Sequence, residues 1–136
     1  MTGAAVLTEQ ARAQYLRIRP RDAFVEQAEG ALLVDIRPYA QRQLEGEIPG
    51  SLILERNVLE WRLDPHGDAR IPEATGVDVR VIVVGSEGYA SSLAAASLVA
   101  MGLHRATDLE GGFRLWHTLG LPTAAGGTTA GTYVAA

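Results

Sequence analysis

Uniformly apolar runs alternate along this chain with stretches whose apolar residues recur at helical spacing, and that alternation predicts a parallel sheet covered by helices. Val79 to Val84 gives the strongest strand signal. Leu32-Leu33-Val34 is too short and too uniformly apolar for an amphipathic helix, so it reads as a strand buried on both faces, ended by Asp35-Ile36-Arg37-Pro38. Ser51 to Leu54 and Ala106-Thr107-Asp108 are shorter strand candidates.

Helical signals fill the intervals. Gln10 to Arg17 predicts a short first helix, and a second begins at Pro20, with Phe24, Val25 and Ala28 on one side and Gly30 as its stop. Tyr39 to Glu45 is helix-compatible, and Gly46-Glu47-Ile48-Pro49-Gly50 must turn. Asn57 to Leu63 predicts a turn or two of helix, stopped by Asp64-Pro65-His66-Gly67-Asp68. Ser91 to Met101 places Leu93, Ala94, Ser97, Leu98 and Met101 on one face. A last helix carries Phe113, Leu115, Trp116 and Leu119 and ends at Gly120-Leu121-Pro122. The segment from Ala124 is built of small residues with little to bury, so one domain over 1–123 and a flexible tail over 124–136 are expected.

Composition narrows the chemistry. With 136 residues, 47% of them apolar, one core forms without staples. Cysteine is absent, which excludes disulfides, thiolate metal sites and thiol catalysis together. A formal charge of −4, with no basic stripe among aromatics, argues against nucleic acid as a partner, and no Gly-x-Gly-x-x-Gly follows a strand to hold a dinucleotide. No cofactor or metal is expected. No apolar run approaches the ~20 residues of a membrane helix, so a soluble, cytoplasmic protein is expected. All basic residues are arginine, which reads most simply as coding bias, with arginine forks for anions as the functional alternative.

The candidate chemistry sits in Gly85-Ser86-Glu87-Gly88-Tyr89-Ala90, between the strongest strand and the helix starting at Ser91. Backbone amides in a tight turn entering a helix carry partial positive charge and favour an anion. Gly85 and Gly88 allow the close approach such a turn needs. Ser86 is a poor nucleophile without a positioned base, and His66, His104 and His117 are scattered away from it. Ser91 and Ser92 read as helix caps, Glu47 as an exposed turn carboxylate, and Trp61, Trp116 and Phe113 as core or rim packing.

Four segments together resemble the rhodanese-like, or sulfurtransferase, domain from about Ile18 to Pro122. Leu33 to Arg37 is similar to that family's Asp-x-Arg strand end. Gly46-Glu47-Ile48-Pro49-Gly50-Ser51 is similar to its Gly-His-Ile-Pro-Gly-Ala turn. Val81 to Ser92 resembles its active strand, loop and helix start, and Leu109 to Trp116 its Leu-x-Gly-Gly-Phe-x-x-Trp. The resemblance implies a five-stranded parallel sheet with helices on both faces. It also implies a loop cysteine that carries sulfane sulfur from a donor such as thiosulfate to a thiophilic acceptor. Aligned so, Gly85 occupies the cysteine position and Ala90 a position where many active relatives have arginine. Asp35 and Arg37 are expected to fix the strand end, with pocket support as the alternative, and Arg56 is the candidate cation at the pocket mouth.

Three readings of function follow. One is a domain inactive in sulfur transfer that keeps the anion-receptive loop, Gly85 to Ser91, for a thiosulfate-, sulfate- or phosphate-like anion or a protein partner. The second is a sulfurtransferase whose cysteine at position 85 is replaced in this chain. In the third, another enzyme uses the pocket, through Ser86 or a bound metal. A phosphatase of related fold also needs a loop cysteine, and a loop one residue longer than this one.

Overall fold

The strand signals resolve into β1 (Leu32–Asp35), β2 (Leu52–Ile53), β3 (Val81–Val84) and β4 (Thr107–Asp108). The computed structural model, which describes residues 2–136, pairs them all in parallel in the order β2-β1-β3-β4. The sheet therefore has four strands, and the five implied by family resemblance are corrected. A fifth partner survives as one residue: Ile18 bridges Leu109, its N–H donating to the Asp108 carbonyl at 3.2 Å and its own carbonyl accepting from Glu110 at 2.8 Å. Pro20 stops the ladder there, because it lacks an N–H and opens α2 (Pro20–Ala28) two residues on.

Strand side chains alternate between two apolar layers. Val81 and Val83 join Val34, Leu52 and Leu98 in one, and Ile82 and Val84 join Leu33, Ile48 and Trp116 in the other. The first layer is covered by α4 (Leu59–Leu63) and α5 (Ala90–Ala100), the second by α2 and α6 (Gly112–Thr118), so helices do lie on both faces. Between β1 and β2 runs α3 (Tyr39–Glu45), and a 3-10 turn, Arg56–Val58, precedes α4. Among the described residues no helix is long and apolar enough to cross a membrane.

Several helix details differ from the pattern reading. The first helix, α1, spans Ala4–Arg12 rather than Gln10 to Arg17, and packs on α5. On α2 the inward residues are Pro20 and Ala23, while Phe24 and Val25 are exposed. On α5 Leu93 faces out, and Ser91, Ser92, Ala94, Ala95 and Leu98 face in. In both helices small side chains fill most of the inner face, which lets the backbone approach its neighbours closely, with Leu98 the large inward residue of α5.

The segment after Pro122, expected as a mobile tail, packs along the free edge of β2. Ser51 accepts from Val134 at 2.8 Å, Gly50 donates back to Val134 at 2.9 Å, and Gly131 and Thr132 exchange bonds with Ile53. Val134 is buried. Small residues supply little apolar area, but they let this strand-like segment lie flat on an edge whose backbone groups need partners.

Candidate functional site

The loop leaves the carboxyl end of β3 at buried Gly85 and enters α5 at Ala90. Three of its carbonyls are held from outside. Gly85 accepts from Phe113 N at 2.9 Å and Ser86 from Arg114 N at 3.0 Å. Gly88 accepts from Arg12 Nη2 at 2.6 Å, Arg17 Nη2 at 2.9 Å and Ser92 Oγ at 3.0 Å. A trans peptide is planar with its C=O and N–H opposed, so these anchors turn the N–H groups of Ser86, Glu87 and Tyr89 the other way. From Ser86 to Ser91 the amides donate to no backbone acceptor among the described residues, and no side chain caps α5. The loop therefore presents a row of unspent donors.

Two glycines make the packing around it fit. Gly88 has φ of 87°, a left-handed conformation strained for other residues, and Gly112 lets α6 approach so closely that a Cβ there would stand 2.6 Å from the Ser86 carbonyl. Gly85 differs: its φ is not left-handed, and a Cβ would meet nothing nearer than the Ser91 side chain at 3.4 Å. A side chain at position 85 is sterically allowed.

A cavity of about 360 Å³ opens beside the loop, walled by Ile36, Pro38, Arg56, Gly85, Glu87 and Tyr89. Arg56, the candidate cation, is among the residues lining this cavity. Its Nη1 is bound by Glu60 at 2.9 and 3.0 Å. Ala90 also lines the cavity and brings no charge.

Arg37 lines the same cavity and fully buried Asp35 lies behind it, and the two charges spend themselves internally. The Arg37 guanidinium donates to Asp35 at 3.0 and 2.6 Å, to Glu45 at 3.0 Å and to the Gly46 carbonyl at 2.9 Å. Burial alone would weaken its charge, but the carboxylates outweigh burial and hold its pKa above the ordinary value. Burial pushes the Asp35 carboxyl up, with Arg37 opposing. This pair braces the turn after β1, and four of the five N–H donors of the Arg37 guanidinium are spent on protein acceptors.

Ser86 Oγ donates to both oxygens of Glu45, at 2.9 and 2.8 Å. Burial would raise the Glu45 pKa, yet the bonds from Ser86 and Arg37 hold it below the usual carboxylate range. A carboxylate so stabilised is a weak base, and it does not wall the cavity, so Ser86 is positioned more than it is activated.

Four residues read from sequence have different places or roles. Glu47, expected to be exposed, is fully buried: it pairs with Arg42 and accepts from Gly127 N at 3.2 Å and Thr128 Oγ1 at 2.7 Å. The packed C-terminal segment covers it, which the pattern reading, treating that segment as mobile, could not supply. Ser91 and Ser92 are buried anchors instead of caps, donating to Asp108 at 2.8 and 3.0 Å. Trp61 is 63% exposed, unlike buried Trp116 and Phe113.

Asp108 itself was missed. Fully buried at the end of β4, it also accepts from Tyr15 at 2.8 Å and from Arg17 at 3.0 and 3.1 Å, tying the N-terminal segment under the loop. Burial, and then the negative charge of Asp108, push the Tyr15 phenol well above its ordinary pKa. The one signal in the sequence was an acidic residue closing an apolar strand. The three histidines lie elsewhere: His104 pairs with Asp78, His117 tilts against Phe113, and exposed His66 sits in the turn after α4. No three His, Cys, Asp or Glu residues that could hold a metal cluster among the described residues.

Known proteins share the fold that carries this site. A family model described as rhodanese-like domain matches residues 21–119. A thiosulfate sulfurtransferase GlpE of Pseudomonas entomophila is 34% identical over 105 residues, covering 77% of this chain and 87% of that protein. The GlpE of Stutzerimonas stutzeri is 36% identical over 106 residues, covering 76% and 87%. Among solved structures, a Rhodopseudomonas palustris protein of unknown function, described as a possible tyrosine phosphatase, superposes with a TM-score of 0.81 at 28% identity, over 90% of this chain and 95% of that one. A Pseudomonas aeruginosa thiosulfate sulfurtransferase shares the fold at 19% identity, with a TM-score of 0.68 over 96% of this chain and 23% of that one.

Proposed function

The chain belongs to the rhodanese-like domain family, and from that premise we propose that Gly85 stands where the family's nucleophilic cysteine stands and that the loop serves binding or regulation. The protein is a rhodanese-like single domain with no cysteine anywhere, so no cysteinyl persulfide forms on it. What the loop keeps is its donor row. The reading rests on one observation: the carbonyls of Gly85, Ser86 and Gly88 are fixed by donors from α6, α5 and the N-terminal segment, which turns the N–H group following each of them away from its anchor and leaves it unspent. A tetrahedral oxyanion of the thiosulfate, sulfate or phosphate kind is the ligand such amides suit, alone or on a protein partner.

Two measurements test this. In an NMR titration of the labelled protein, sulfate and thiosulfate shift the amides of Ser86 to Ser91 saturably. In a thiosulfate-to-cyanide assay, no thiocyanate forms above the protein-free rate. Turnover at the level of a sulfurtransferase relative, or silence of those amides toward every oxyanion tried, sinks the proposal.

The Ser86–Glu45 contact favours a second reading, in which Ser86 is a nucleophile. The depressed Glu45 pKa weighs against it. Covalent labelling of Ser86 by a fluorophosphonate would reverse that judgement.

A further inference from the structure

A second cavity, of about 650 Å³, adjoins the loop cavity and shares Ile36, Arg37, Pro38 and Arg56 with it. It runs past Tyr39 and Asn57 to Thr129 and Ala130. That far wall comes from the C-terminal segment, outside the matched residues 21–119, and it is held in place: the Thr128 carbonyl accepts from Arg42 at 2.8 Å, and Thr128 Oγ1 donates to Glu47 at 2.7 Å. Arg56 stands between the chambers. Glu60 takes its Nη1, while its Nε and Nη2 donate to nothing among the described residues.

The two chambers together are far larger than a bare oxyanion. Thiosulfate has five heavy atoms and fills the space of a few waters, at about 30 Å³ each, against about 360 Å³ in the loop chamber alone. Ile36, Pro38, Tyr39 and Ala130 line the added space with apolar surface. Glu87 at the loop chamber and Glu55 at the second are both exposed carboxylates that repel any further negative charge on a ligand.

Building on the anion-receptive reading of the loop, we infer that the site takes an organic monoanion, with its oxyanion head on the loop amides and a flat apolar body in the chamber closed by Thr129 and Ala130. Arg56 reaches the junction of head and body. Specificity then resides in the C-terminal segment, while the loop supplies only the anion contact.

The test compares two sulfonates with the same head, methanesulfonate and naphthalene-2-sulfonate, titrated into the labelled full chain. The naphthyl compound is expected to bind at least about tenfold tighter, equivalent to about 1.4 kcal/mol, and to shift the amides of Thr129 and Ala130 as well as those of Ser86 to Ser91. Ala130→Asp places a charge on an exposed position of the far wall. It should abolish the naphthyl preference and keep methanesulfonate affinity within about twofold, as for independent sites. Equal affinities of the two sulfonates at the loop would overturn the inference and leave the oxyanion cradle standing. Silence of the loop amides toward both would remove the cradle and the inference with it. A naphthyl preference that survives Ala130→Asp would place the body elsewhere and also refute the assignment.

Discussion

Glu47→Ala is the sharpest perturbation the structure offers, because it removes the carboxylate beneath the C-terminal segment and leaves the Arg42 guanidinium behind. That guanidinium is 3% exposed. It would keep only carbonyl partners, Arg37 at 3.0 Å and Thr128 at 2.8 Å. Breaking a buried ion pair by deleting one member costs about 3–5 kcal/mol, since an uncompensated charge stays inside. The Gly127 and Thr128 amides and the Thr128 hydroxyl lose their acceptor too, but they are only partly buried, so water offsets most of that loss. A destabilisation of about 4 kcal/mol is expected, a large share of the 5–15 kcal/mol typical of a domain. At roughly 3–5 °C per kcal/mol for this chain length, Tm should fall by more than about 10 °C.

The pH dependence gives an independent check. Burial would raise the Glu47 pKa, but the Thr128 hydroxyl, Arg42 and the two amides together hold it below the ordinary carboxylate value. A depressed folded-state pKa means that the stabilisation is fully present above the unfolded value, about 4.3, and is lost as pH falls through the folded one. The gap between wild type and Glu47→Ala should therefore be widest near neutrality and close on acidification. Urea unfolding at a series of pH values measures both. A neutral-pH difference below about 0.5 kcal/mol, the range of ordinary surface substitutions, would refute the buried pair, as would a gap that does not shrink in acid. The double replacement Glu47→Leu with Arg42→Met should recover much of the loss, since it removes both charges together.

Other expectations follow from the loop. Gly85→Cys fits sterically, and the amide row should lower its thiol pKa below the free value of about 8.5; alkylation rates against pH read this, and an ordinary or raised pKa would mean that the amides do not converge there. Gly112→Ala forces a Cβ to 2.6 Å from the Ser86 carbonyl at φ of 62°, so it should lower stability by more than about 1 kcal/mol and shift the loop amides; an unperturbed loop spectrum would contradict the close approach. Arg12→Met removes one of three donors on the Gly88 carbonyl, for about 1 kcal/mol, and hydrogen exchange at Ser92, whose N–H donates to the Tyr89 carbonyl at 3.1 Å, should quicken; unchanged exchange would show that Arg12 does not hold the loop. Sulfate affinity should vary little between about 0.01 and 0.1 M salt, although the Debye length contracts from about 30 to 10 Å, because oriented amides supply the attraction; a tenfold weakening would assign it to net charge instead.

Much of the fold was written in short-range pattern. Val81 to Val84 and Leu32 to Val34 carry their own strand signal because both faces are buried, and Pro20 marks the start of α2 wherever the sheet lies. The same residue explains why four strands were legible from the residues and a fifth was not: the resemblance supplied it, and Pro20 cuts it to the Ile18 bridge. The loop itself was legible, and Gly85, Ser86, Glu87, Tyr89 and Ala90 line one cavity together with Arg56. What pattern could not reach were polar residues whose meaning depends on distant partners. Glu47 looks like any turn carboxylate until Thr128 covers it, Ser91 and Ser92 look like caps until Asp108 lies beneath them, and Arg12 and Arg17 look like surface charge until Gly88 is placed over them.

On the proposed reading, those distant partners let the loop receive an anion without a strong local field. Around it stand Arg12, Arg17, Arg37 and Arg114, and facing them Asp35, Glu45, Glu87 and Asp108. The guanidiniums and carboxylates balance, and most are engaged with one another, so the frame is close to neutral. Its work is mechanical: Arg12, Arg17, Glu45 and Arg114 hold a carbonyl or a side chain of the loop, and Asp35 and Arg37 brace the turn beside it. Oriented dipoles need no reorganisation when an anion arrives, whereas a mobile turn must first spend the ordering entropy of its residues. Orientation is also independent of what occupies position 85, because none of the anchors on Gly85, Ser86 or Gly88 involves a side chain there. On the proposed reading, the absence of a nucleophile at that position removes the covalent step and none of the anchors, so binding, and not residual transfer, is the property to measure first.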